Sequence, residues 1–144
     1  MNNGLKILVA FAAAWLLAQL AKLAAAVIMK NGAMTAREVV AVMMKSGGMP
    51  SGHAASFTAA TVTIGFVVGF DSAVFALAVC TAVIVIYDAV NVRWAVGEQG
   101  RVINTFMQKS QGKKLRVVEG HTVPQVVMGI VLGLVVSYVI SLVF

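Results

Sequence analysis

Charge is scarce in this sequence. Only 11% of its 144 residues are charged, where a soluble domain carries about a quarter. Mean hydropathy is +0.95 and 60% of the residues are hydrophobic, which nearly rules out a water-soluble globular enzyme. Acidic residues are scarcer still: five against eleven Lys and Arg, a net charge of +6. In a membrane protein that excess reports orientation and contact with lipid phosphates. No basic stretch is long or interleaved with aromatics, so nucleic acid is not an expected partner. Cysteine occurs once, at Cys80. One cysteine makes no internal disulfide and no metal cluster, and Cys80 is expected as a small buried apolar residue. Alternating apolar runs are absent, which argues against a membrane β-barrel. Repeats and low-complexity tracts are absent too.

What is present is a set of continuous apolar segments, near 5–29, 54–70, 73–90 and 123–144. Each is close to the roughly 20 residues of a spanning helix, the second being short. The first contains Lys22 and lacks a small-x-small cleavage site, so it reads as a retained span and not a signal peptide. The expected fold is all-α: a single integral membrane helical bundle over 1–144, with four spans, a short interfacial helix and a cytoplasmic-side helix. The interfacial helix falls near 35–45, where Thr35 and Glu38 form a capping box. The other starts near residue 91 and ends in a loop around 111–114. GFVVG (65–69) and GIVLG (129–133) both fit GxxxG and predict close helix contacts.

If the spans alternate, connections 30–53 and 91–122 share one face. That face holds nine of the eleven basic residues, with Lys6 on the opposite face and Lys22 inside the first span. The positive-inside rule puts the long connections in the cytoplasm and both termini outside.

Three polar motifs meet on that face: GGMPSGH (47–53), YDAVNVR (87–93) and EGHTVPQ (119–125). Glycines admit close backbone approach, and a helix N-terminus behind Pro50 and Ser51 presents N–H groups to an anion. His53 adds a proton donor. A phosphoryl group requires this combination, although a plain Gly-Pro turn capping a helix has the same residues. His121 precedes Thr122 and Pro124, a second helix start, whose dipole disfavours imidazolium and keeps the ring able to attack phosphorus. An interfacial histidine that only caps a helix fits that spacing equally. Asp88 at a span end is costly unless paired or wet. Arg93, about one and a half helical turns on, is its available partner. Lys22 is able to snorkel to the interface.

GGMPSGHAA (47–55), YDAVNVRWAVGEQ (87–99), GHTVPQV (120–126), and Ala18, Gln19 and Lys22 in the first span resemble the divergent branch of the type-2 phosphatidic acid phosphatases. That superfamily is related to the vanadium haloperoxidases and bacterial acid phosphatases. The resemblance covers nearly the whole chain. It implies a membrane phosphatase of lipid-like phosphate monoesters or pyrophosphates, working through a phosphohistidine without cofactor or metal. By that resemblance His121 is the nucleophile and His53 the general acid, while Ser51 and Gly52 hold phosphate oxygens. Arg116 resembles the arginine ahead of the last histidine, one residue closer than usual. The superfamily's first motif is absent; Lys22 is a substitute, with Lys45 and Arg93 as alternatives. The aspartate expected four residues after His121 is Gln125, which orients an imidazole without carrying charge. Asp88 or Glu98 would then supply the carboxylate.

The alternative from another class is a non-catalytic lipid-phosphate-binding or structural membrane protein, motivated by Gln125. A metal-dependent phosphatase using Asp88 and Glu98 is a third. Expected partners are membrane lipid and a phosphorylated lipid-like substrate in the bacterial inner membrane. A homodimer or larger assembly is expected to complete a bundle lean in helices.

Overall fold

A computed structural model describes residues 2–30, 32–44, 47–109, 115, 117 and 120–144, with Met44 and Lys109 by backbone only. All regular structure among them is helical: α1 (Asn3–Lys30), α2 (Ala36–Met44), α3 (Gly52–Val68), α4 (Ala73–Tyr87), a π turn (Asp88–Val92), α5 (Arg93–Lys109) and α6 (Val123–Val143).

Among the described residues, three stretches are long and apolar enough to cross a membrane: Asn3–Lys30, the continuous 36-residue run Ala73–Gln108, and Val123–Val143. The fourth expected span, α3, is apolar but only 17 residues long. It sits at the centre, packed against α1, α4 and α6. A helix surrounded by protein need not match the thickness of the lipid. The expected cytoplasmic-side helix is α5, which continues α4 through the π turn. The loop expected around 111–114 lies outside the described residues.

Small residues let the backbones close up. The core consists of Ala10, Ala14 and Ala18 from α1, Ala55 and Ala59 from α3, and Val136 and Ile140 from α6. On α6, a Cβ at Gly129 would meet the Ser51 carbonyl oxygen at 2.5 Å, and one at Gly133 the Ala55 carbonyl oxygen at 2.5 Å. The 129–133 GxxxG is therefore a seam between α6 and α3. A buried Thr63–Ser137 hydroxyl pair at 2.9 Å adds a polar contact across it.

The other GxxxG serves a different purpose. A Cβ on Gly65 would run into the Phe70 ring, and Gly69 ends α3 at φ +97° with its N–H on the Gly65 carbonyl at 3.0 Å. Gly65 and Gly69 thus shape the tight turn into α4, where Ser72 Oγ caps the Phe75 N–H at 3.1 Å. Cys80 also departs from expectation, being exposed on α4. Among the described elements α4 packs mainly on α3, so much of its surface faces outward, where hydrocarbon accommodates apolar residues as well as a core does.

The Thr35–Glu38 capping box is formed: Glu38 accepts from the Thr35 N–H at 2.8 Å, and Thr35 Oγ1 accepts from the Glu38 N–H at 3.4 Å. Lys30, in the last turn of α1, reaches both Glu38 oxygens at 2.6 and 2.7 Å. The Lys30 ammonium, with the Thr35 N–H, holds the Glu38 carboxyl down at about 2. These contacts fold α2 back against α1.

The C-terminal part of α1, the start of α3, the π turn and the start of α6 consequently lie at one end of the bundle.

Candidate functional site

Each histidine is positioned by a helix start. Ser51 caps α3, its Oγ accepting from the Ala54 N–H at 3.3 Å, and His53 follows in the first turn. The Ser51 N–H donates to the Gln125 carbonyl at 2.8 Å, tying the two helix starts together. Upstream, Gly47 and Gly48 have φ of +88° and +86°, which lets the chain turn sharply over α1.

His121 is placed by the π turn. The Arg93 N–H bonds to the Asp88 carbonyl, five residues back. The Ala89 carbonyl, four residues back, instead accepts from the His121 N–H at 2.9 Å. Gly120 makes this approach feasible, since a Cβ there would lie 2.6 Å from the Trp94 nitrogen. The same π turn brings Asp88 and Arg93 into register as an ion pair, Nε to Oδ2 at 3.1 Å. In a regular α-helix residues five apart diverge around the axis, whereas the i→i+5 turn realigns them.

Gln125 orients the His121 ring. Its Oε1 accepts from the Thr122 N–H at 3.1 Å, which identifies that atom as the oxygen, and faces His121 Nδ1 at 3.3 Å. A carbonyl oxygen only accepts, so Nδ1 carries the proton and Nε2 keeps its lone pair. Burial pushes the His121 imidazole below its usual value; the Gln125 hydrogen bond and the Gly48 backbone oppose the shift, and Lys22 and His53 add to it.

The two histidine rings face each other edge-on, centroids 6.0 Å apart. Both border a cavity of about 390 Å³, whose mouth also includes Lys22, Arg93, Gly47 and Gly52. The Lys22 stem lies along Gly48, and its Nζ would sit 3.9 Å from a Cβ at Gly52. The cavity continues toward the opposite membrane face between Phe11, Trp15, Gln19, Ser56 and Phe57. Phe11 and Phe57 close it with an edge-to-face contact at 5.5 Å. Gln19 is 8% exposed; its Nε2 donates to the Met43 carbonyl at 3.4 Å, and its Oε1 is buried with no hydrogen-bond partner among the described residues. A buried unpaired acceptor costs about 1–3 kcal/mol.

An apolar groove of about 850 Å³ runs beside the cavity between α1 and α6, behind Met49 and Pro50. A hollow sharing Lys22 and Gly47 with the cavity, and Ala25 and Met49 with the groove, lies between them.

Of the residues the sequence singles out, His53, His121, Lys22, Arg93 and Gly52 come together at the cavity. Gln125 stands behind His121 and Asp88 behind Arg93. Two expectations change. Ser51 is fully buried and does not line the cavity; its hydroxyl caps α3 and its N–H joins α3 to α6. Glu98 pairs with Arg101 at 2.9 Å, one helical turn along the exposed α5, and is not part of the cavity lining. Lys45 and Arg116 lie outside the described residues. Among the described residues no three His, Cys, Asp or Glu gather where they would hold a metal ion.

Sequence reasoning missed the inner wall. Gln19 and Lys22 stand in the first-span motif, Lys22 as a phosphate ligand, but Phe11 and Trp15, which continue their helical spacing on α1, do not, and that spacing was the available signal; Ser56 and Phe57 carried none.

The sequence matches a family model described as "Divergent PAP2 family" over residues 3–136. A Bacillus subtilis (strain 168) protein, described as "Uncharacterized membrane protein YuiD", is 33% identical over 105 residues, covering 61% of this chain and 66% of that protein. No solved structure matches.

Proposed function

The chain belongs to the divergent PAP2 family, and on that premise we propose that it is a membrane phosphohydrolase acting on a lipid-like phosphate monoester or pyrophosphate. The observation that carries the proposal is the pair of histidine rings 6.0 Å apart across a cavity that also presents Lys22 and Arg93. One ring lies on each side of the space a phosphoryl group would occupy, with cations to balance its charge.

The chemistry assigned to them is a double displacement. His121 Nε2 attacks phosphorus; a nitrogen–phosphorus bond forms as the ester bond to the leaving oxygen breaks. Protonated His53 gives its proton to that oxygen. Water then attacks the phosphohistidine and gives a proton to His53, which releases phosphate and restores both rings. Lys22, Arg93 and the N–H groups at the start of α3 hold the non-bridging oxygens. Gln125 keeps Nε2 free for the attack, and Asp88 holds Arg93 in place. The neighbouring apolar groove supports a substrate with a hydrocarbon tail.

The decisive experiment incubates the purified protein with radiolabelled lipid phosphates. Phosphate release by wild type, a trapped phosphohistidine, and loss of both in a folded His121→Ala protein are the expected results. One observation favours a second reading: the group behind His121 is the neutral Gln125. A non-catalytic lipid-phosphate binder would bind the same lipids with no phosphate release and no trapped intermediate.

A further inference from the structure

We propose that the Trp15 indole N–H is a further phosphate donor of the site, holding a non-bridging oxygen beside Lys22 over the start of α3. The inference rests on the phosphohydrolase reading and adds a neutral donor to its cations.

Position is the first argument. Tryptophans of membrane proteins gather at the two interfaces, where the ring is apolar on one side and the N–H meets water. Trp15 instead lies near the middle of α1, about 18 Å from the helix start at Asn3 and about 22 Å from its end at Lys30 by the helical rise. Hydrocarbon offers an N–H no acceptor at such a depth. Among the described residues Trp15 donates to no protein group either. What it does border is the cavity.

Direction is the second. A Cβ at Gly52 would lie 3.9 Å from Trp15 Nε1 and 3.6 Å from the adjoining Cδ1, so the N–H edge of the indole is the edge turned to the start of α3. The same point is 3.9 Å from Lys22 Nζ. Two donors seven positions apart on α1 thus converge beside Gly52, and its missing side chain leaves room between them. In the first turn of α3 the Ala54 N–H is taken by Ser51 Oγ and the Ala55 N–H by the Ser51 carbonyl. The N–H groups of Gly52 and His53 have no partner among the described residues.

Reach is the third. Nε1 and Nζ are each 3.9 Å from one point, so they stand at most twice that distance apart. A phosphoryl group accepting a hydrogen bond of about 2.9 Å at each of two oxygens bridges donors as much as about 8 Å apart. One phosphoryl group therefore engages both. The indole N–H only donates, so it binds an anionic oxygen without placing another charge in a membrane segment, where a charge is costly.

Two measurements test the assignment. The first compares wild type with Trp15→Phe, which keeps an aromatic ring beside Gly52 and removes the donor, on a long-chain lipid phosphate and on a short water-soluble phosphate ester. The substitution is expected to lower kcat/KM roughly 10- to 100-fold, the worth of a hydrogen bond to a charged group. The factor should be the same for both esters, because the phosphoryl group is what they share. A fall confined to the long-chain lipid would make Trp15 a wall for the tail and overturns the inference, as does an unchanged kcat/KM. The second measurement leaves position 15 intact. It follows the indole proton of Trp15 by NMR in a Trp94→Phe protein, which retains one tryptophan. Orthovanadate, a phosphate mimic, is expected to move that resonance downfield. A resonance that stays in place at vanadate concentrations that inhibit turnover overturns the inference and leaves the phosphohydrolase reading standing. Turnover of neither ester by wild type overturns that reading, and the inference with it.

Discussion

His121 is held by groups from two elements: its N–H by the Ala89 carbonyl of the π turn, and its Nδ1 by Gln125 of α6. An imidazole oriented in this way by a neutral amide has its tautomer set without a partner charge. Gln125→Leu is expected to lower kcat roughly 10- to 100-fold through loss of that orientation, measured by steady-state phosphate release. The pH dependence follows from burial. A His121 pKa below the ordinary value of about 6.5 keeps the attacking ring neutral in more acidic solution, so the acidic limb of kcat/KM is expected below that value. Gln125→Glu places a carboxylate beside the ring, favours imidazolium and should move the limb upward. A limb that stays put in Gln125→Glu would contradict His121 as the group that titrates.

At the scale of elements, the α3–α6 seam and the π turn determine the site. Gly129→Ala would press a methyl group against the Ser51 carbonyl, which is backbone and has little room to move. The expected cost is about 1–3 kcal/mol, seen as a lowered Tm in detergent, with a loss of activity as Ser51 and Gln125 part. Gly65→Ala meets only the Phe70 ring on an exposed turn, so its loss should be smaller. The π turn is tested by deletion. Removing Val90 restores α-helical spacing, leaves Asp88 and Arg93 four positions apart and still able to pair, and withdraws the Ala89 carbonyl from His121. The expected outcome is full helicity by circular dichroism with activity lost. Retained activity would mean that His121 does not depend on that carbonyl.

For the molecule as a whole, the helix ends that carry the motifs gather at one end, and the excess of basic residues there argues for a cytoplasmic site with both termini outside. That orientation is tested by thiol labelling in a Cys80→Ala background. A cysteine placed at Asn2 should react with an impermeant reagent in intact cells, and one at Val117 only after lysis. The reverse pattern would invert the topology.

Much of this plan was legible in the linear sequence. Continuous apolar runs admit only helices in a membrane, the Thr35–Glu38 box marked a helix start, and the motif order placed both histidines at one end of the bundle. Other features depend on neighbours distant in sequence. The identical GxxxG spacings serve different purposes because the first ends its helix at Gly69 while the second faces α3. Ser51 was expected at phosphate, but it became the junction between α3 and α6 because its N–H meets a carbonyl 74 positions along the chain. The π turn is invisible to a period of 3.6. It exists because backbone bonding shifts to five residues back, and that shift pairs Asp88 with Arg93. The sequence by itself determined an all-helical membrane protein with its polar chemistry at one end, because hydropathy and helix-end signals act locally. Only the tertiary structure decided which groups reach the cavity, how His121 is oriented, and that Gln19 is buried with an acceptor to spare, because packing brings residues from different helices together.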